Sequence, residues 1–165
     1  MKKLLFCAAV ALIPASAMAD RMDRFEAISA EMNDLMAEMM AKEIDAQGGD
    51  GDIIRAAVPE QIFDEESTAA SECLLARYEA ELGEEAVDDM LDRMEQAMPL
   101  MAEMTMTEFS ESDIADAMSP PGLGEDLVFD ISQDCGLMAI QVKRMQESGF
   151  MDALMAAGET IPDNN

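Results

Sequence analysis

The sequence predicts an all-α protein: a small bundle of four to five main helices with short extra helices, tied by one disulfide and preceded by a cleaved signal peptide. Three observations carry that prediction. Apolar residues recur at spacings of 3 and 4 along most of the 165-residue chain, the period of a helix with one buried face. No stretch alternates apolar and polar residues as a half-buried strand requires. Two cysteines, Cys73 and Cys135, remain once the first 19 residues are set aside.

Those first residues read MKKLLFCAAVALIPASAMA. Lys2 and Lys3 supply a positive start, Leu4 to Ile13 a short apolar run, and Ala17-Met18-Ala19 the small residues that signal peptidase reads. The run is too short for a bilayer, which needs about 20 apolar residues. Cys7 lies inside it rather than at its end, which argues against a lipoprotein. No later segment is long and apolar enough to cross a membrane. The mature chain is therefore expected to start at Asp20 and to be periplasmic or secreted. Residues 20–158 are expected to form a single acidic helical domain, and residues 159–165 a disordered tail.

Asp20 to Gln47 reads as one long helix, with Phe25, Ile28, Met32, Leu35 and Met39 on one stripe and Met36, Met40 and Ile44 widening it. Gly48-Gly49-Asp50-Gly51 ends it. Asp50-Gly51-Asp52 resembles part of a calcium loop, but with Gly51 as the loop glycine the first and last ligand positions would be Ala46 and Ala57, so it is read as a plain loop. Asp52 to Val58 allows one helical turn before Pro59. Asp64 is the expected N-cap of the next helix, with Glu65 and Glu66 at the positive end of its dipole. That helix should reach Leu82, where Gly83 breaks it.

The helix after Gly83 carries the cleanest pattern: Val87, Met90, Leu91, Met94, Ala97 and Met98 share one face. It is expected to end near Met98, because Pro99 has no amide hydrogen to continue the ladder. Thr105 with Glu108, and Ser110 with Asp113, fit capping-box spacing and predict short helices. Ser119-Pro120-Pro121-Gly122 is a loop. Val128, Ile131, Cys135, Met138, Val142 and Met145 then predict one further stripe, loosened at Gly136. Gly149 caps it, Phe150 to Ala157 forms a last short helix, and Gly158 stops that.

With Cys7 lost to the signal, Cys73 and Cys135 are expected to pair in an oxidising compartment. Closing a loop of 62 residues would stabilise the fold by about 4 kcal/mol in the chain-entropy picture.

Removing the signal takes two of the 10 basic residues and none of the 36 acidic ones, so the net charge moves from −26 to −28. Such a chain repels nucleic acid and anionic membrane surfaces. It contains no histidine, which excludes serine–histidine and cysteine–histidine catalysis and histidine-based metal sites. It has no phosphate-binding glycine loop and no nucleophile elbow. With no tryptophan and one tyrosine, Tyr78, it lacks the aromatic platforms on which sugars stack. No enzyme and no cofactor is expected.

Methionine is the compositional oddity: 18 in all. Most sit at core spacing, where the flexible thioether fills gaps; Met138 and Met145 are among these. Met101, Met104 and Met106 fall where the helical pattern loosens, and thioethers are soft ligands for Cu(I) or Ag(I). The expected function is therefore a non-catalytic exported protein that binds a protein or peptide partner, as an adaptor or in a chaperone-like way, through a methionine-lined groove with an acidic rim. The alternative is soft-metal binding at Met101, Met104 and Met106. The loosely patterned first helix leaves homodimerisation open.

Overall fold

The computed structural model describes residues 15–59, 63–112, 114, 120 and 122–161. Among them it contains eight helices and no strand: α1 (Ala15–Ala46), α2 (Asp52–Ala56), α3 (Glu65–Leu82), α4 (Glu84–Met101), α5 (Met106–Ser110), α6 (Glu125–Asp134), α7 (Leu137–Glu147) and α8 (Phe150–Glu159). Residues 1–14 of the expected signal lie outside the described residues. Ala15 to Ala19, also assigned to the signal, continue α1, and Met18 packs half-buried on the core. Among the described residues no helix is long and apolar enough to cross a membrane.

The long first helix serves two cores. Along most of its length it places Met22, Phe25, Ile28 and Met39 in a main core with Leu74, Leu75 and Tyr78 of α3, Val87, Met90, Leu91, Met98 and Met101 of α4, and Ile131 of α6. Its C-terminal part turns Ala37, Ala41 and Ile44 toward Ile54 of α2 and Phe150 and Ala157 of α8. One helix can do this because its apolar stripe is widened by Met36, Met40 and Ile44 beyond a single seam.

Polar pairs give the helix directions. Arg21 reaches Glu79 and Asp88, Glu26 meets Thr68, and Arg24 meets Asp92 and Glu95. Numbers rise together between α1 and α4 and oppositely between α1 and α3, so α3 runs antiparallel to both. The reversal between α3 and α4 is made by Gly83 alone, at φ +87°, where a side chain would be strained. At the start of α3, Asp64 accepts from the Ser67 amide while Ser67 Oγ accepts from the Asp64 amide. Thr105 and Glu108 make the same reciprocal cap on α5. The second expected box ends on Asp113, outside the described residues.

The Cys73–Cys135 disulfide is present, at 2.01 Å. It fastens the middle of α3 to the junction of α6 and α7, where Asp134 also reaches Arg77.

Three expectations are corrected. Helix α4 does not stop near Met98: it passes through Pro99 to Met101. Proline costs only one hydrogen bond there and is exposed, and the extra turn carries Met101 into the core three residues after Met98. The stripe from Val128 to Met145 is not one helix. Gly136 adopts φ +77° and resets the phase, so Leu137 and Ile140 face inward while Met138 and Val142, expected in the core, are exposed. The C-terminal segment stays structured past residue 158: α8 includes Gly158 and Glu159, and Thr160 Oγ1 accepts from the Asp50 amide at 2.7 Å. Residues 162–165 of the expected tail lie outside the described residues.

Candidate functional site

Two features of the fold could receive another molecule. One is a cavity of about 410 Å³ between α1, α3, α4 and α7. The other is an apolar face left uncovered on the last helices.

The cavity lies where α1, α3, α4 and α7 meet. From α1 come Phe25, Ser29, Met32, Asn33 and Met36; from α3, Ser67 and Ser71; from α4, Met94; and from α7, Leu137, Ile140, Arg144 and Met145. Small side chains on α3 make the space: Ser67, Ser71, Leu74, Leu75 and Tyr78 share its inner face at helical spacing, and the serines fill less of it than leucine would. Arg144 stands at the wall, donating to Ser67 Oγ at 3.0 Å and pairing with Asp64 at 2.6 Å. The Ser67 amide, and then Arg144, hold the Asp64 carboxyl below its ordinary range. Deeper in, Ser71 is fully buried and its Oγ has no partner, and the Asn33 amide nitrogen is likewise buried and unpartnered.

The uncovered face lies on α7 and α8. Met138 and Val142 are one turn apart on α7, and Met151, Leu154 and Met155 are at i, i+3 and i+4 on α8; all five are exposed. With Leu127 and Phe129 of α6, they make seven of the eight large exposed hydrophobic side chains among the described residues. The adjoining face of α8 is used: Phe150 and Ala157 belong to the second core.

The cations are committed elsewhere. Arg21, 6% exposed, is shared by Glu79, Glu84 and Asp88. The Arg21 hydrogen bond holds the Asp88 carboxyl below its ordinary value and is returned as a rise in the Arg21 pKa. Arg24 holds Asp92 and Glu95; Arg55 holds Glu38, Asp45 and Asp52; Arg93 holds Asp89; Lys143 holds Glu66. Lys42 closes the end of α4 by donating to the Ala102 carbonyl at 2.8 Å. The surplus carboxylates therefore face solvent without a local countercharge.

The Asp50–Asp52 segment is a turn held by its own side chains that leads into α2. Asp45 accepts from the Gly51 amide, Asp50 from the Asp52 amide, and Arg55 takes up Asp45 and Asp52. Among the described residues no cluster of three or more acidic or cysteine side chains could hold a metal ion. Of the methionines proposed as soft ligands, Met101 is fully buried in the main core, and Met104 and Met106 pack half-buried against that same core. The structure brings Cys73 and Cys135 together as expected. It also reveals Asn33, Ser71 and Arg144, which sequence reading did not single out. The one available signal was Ser71, a polar residue at core spacing between Ala70 and Leu74.

Comparison with known proteins finds no matching family model, no matching curated protein and no matching solved structure.

Proposed function

We propose that this chain, once its signal is removed, is an exported, non-catalytic binding protein whose partner is a basic, amphipathic protein segment. The observation that carries the reading is the concentration of exposed methionine, leucine and valine on α7 and α8. Contiguous exposed apolar surface on an otherwise charged protein marks an interaction site, and methionine suits it because its side chain adapts to different partners. A helix offering apolar residues at i, i+3, i+4 and i+7 would match such a face.

Charge supports the choice of partner. The chain is strongly acidic, and among the described residues its arginines and Lys143 are paired with its own carboxylates. A lysine- or arginine-bearing segment would be drawn by the net negative charge of the whole chain, which speeds encounter and disfavours acidic competitors. The Cys73–Cys135 bridge suits an oxidising compartment.

The test is fluorescence anisotropy with a labelled peptide of leucine and lysine in helical amphipathic register. Binding should weaken at least about tenfold in Val142→Ser/Met155→Ser, and should weaken further with salt. A peptide that binds both proteins equally, or neither, would sink the proposal. Soft-metal binding at Met101, Met104 and Met106 is the competing role. It would require Ag(I) to bind the wild type more tightly than a variant carrying leucine at all three positions.

A further inference from the structure

We infer that Met138, Met151 and Met155 form a modification site: a peroxide oxidises their thioethers to sulfoxides and so releases the basic segment held by the face on α7 and α8. The release rests on the docking reading above; the modification does not.

The basis is how methionine is distributed. Thioether oxidation follows solvent access. Among the described residues Met138, Met151 and Met155 are the exposed methionines. Every other described methionine is buried in, or packed half-buried against, one of the two cores. A limited dose of oxidant therefore meets one small set of sulfurs first, all on the last two helices.

Those three side chains also stand where an added oxygen leaves the packing alone. On α8 the second core is served by Phe150 and Ala157, and on α7 the inward residues are Leu137, Ile140 and Met145. Met151 and Met155 lie one turn apart on the outer side of α8, with Leu154 beside them, and Met138 lies one turn from Val142 on α7. At Met90, Met98 or Met101 the same oxygen would enter a closed apolar core, at a cost to the fold. Oxidation at the exposed three changes what the face offers and not how the helices pack.

The step is an oxygen-atom transfer. A sulfur lone pair attacks one peroxide oxygen, the S–O bond forms as the O–O bond breaks, and the departing oxygen is protonated and leaves as water. Sulfur loses two electrons and the peroxide gains them. The thioether was apolar and adaptable; the sulfoxide is polar. An apolar residue of a bound helix offers that oxygen no donor, so burying it opposes binding. The return needs a dithiol acting through methionine sulfoxide reductases: the oxygen leaves as water and the dithiol becomes a disulfide.

The test compares each protein with itself before and after brief treatment with hydrogen peroxide, with peptide-resolved mass spectrometry to identify the sulfurs that changed. In wild type, oxidation should weaken binding of the leucine–lysine peptide at least about tenfold. Sulfoxide reductases for both epimers, supplied with dithiothreitol, should restore it. In Met138→Leu/Met151→Leu/Met155→Leu the same treatment should change affinity less than about twofold, because leucine has no thioether to oxidise. Retention on a phenyl column reads the face with no peptide present; it should fall when wild type is oxidised and hold in the variant. The melting temperature of oxidised wild type should stay within about 2 °C of the untreated protein. If untreated wild type binds no peptide while its retention still falls on oxidation, the docking reading fails, the release fails with it, and the modification site stands. Unchanged retention of oxidised wild type, peptide binding that survives oxidation, an equal loss in the leucine variant, or a larger drop in melting temperature would each overturn the inference.

Discussion

Met90, Met98 and Met101 on α4 are 2%, 3% and 0% exposed, whereas Met138, Met151 and Met155 on α7 and α8 are 41%, 45% and 62% exposed. The residue type and the helical context are the same, and the environments are opposite. On α4 the thioethers interlock with α1 and α3 and hold the main core. On the last helices the inward positions belong to Leu137, Ile140, Phe150 and Ala157, with Met145 half-buried on the second core, and Met138, Met151 and Met155 are left outside. Methionine content alone therefore says nothing about role. The phase of each helix against its neighbours decides whether a methionine is core filler or exposed surface.

That contrast can be broken or sharpened in several ways, beginning with the covalent tie between the two regions. Cys73→Ser/Cys135→Ser frees α6 and α7 from α3 and should lower stability by about 4 kcal/mol in urea denaturation. A loss under about 1 kcal/mol would mean that packing alone seats the C-terminal helices.

Next come the methionines themselves. Met101→Ala leaves a cavity in a closed core and should cost about 3 kcal/mol. Met155→Ala should cost less than about 0.5 kcal/mol, since it removes contacts mainly with water. Similar costs at the two positions would erase the distinction.

The Arg21 cluster anchors the start of α1 to both α3 and α4. Arg21→Met removes the cation that serves Glu79 and Asp88 and should lose about 2 kcal/mol. It should also unsettle α4 more than α8, read as faster amide exchange in α4.

A smaller effect follows with pH. Arg21 holds the Asp88 carboxyl below its ordinary 3.8, so the folded protein binds that proton less readily than the unfolded chain. The pair's stabilisation is complete above about pH 4 and fades as the pH falls through the lowered value. The stability gap between wild type and Arg21→Met should therefore narrow on acidification from about pH 5 to about pH 2.5. A gap that widens would contradict the pairing.

Much of the fold was legible because its signals are local. Asp64 and Thr105 announced their caps, Gly83 its turn, and the 3-and-4 spacing from Phe25 to Met39 and from Val87 to Met98 its buried faces. The cysteine pair followed from parity, two cysteines remaining beyond the first 19 residues. What was not legible depends on how elements meet. Pro99 looks like a stop, but near the end of an exposed turn it removes one bond and lets Met101 reach the core. Gly136 looks like a weak point, yet its left-handed conformation rotates α7 and expels Met138 and Val142. The candidate sites failed to show for the same reason. Nothing in the residues around Asn33 or Ser71 says that both lose their partners until α1 and α3 are placed side by side. The commitment of Arg21, Arg24 and Arg55 to carboxylates far along the chain is equally a property of the packed form.

Brief peroxide oxidation with peptide-resolved mass spectrometry, with and without the leucine–lysine peptide, tests the account most directly. Thioether oxidation follows solvent access. Met138, Met151 and Met155 should convert to sulfoxide first and become protected when the peptide is bound, while Met39, Met90, Met98 and Met101 stay unmodified in both samples. Uniform oxidation across the two groups, or no protection of the C-terminal methionines by the peptide, would contradict the division between a packed methionine core and an exposed methionine face that binds.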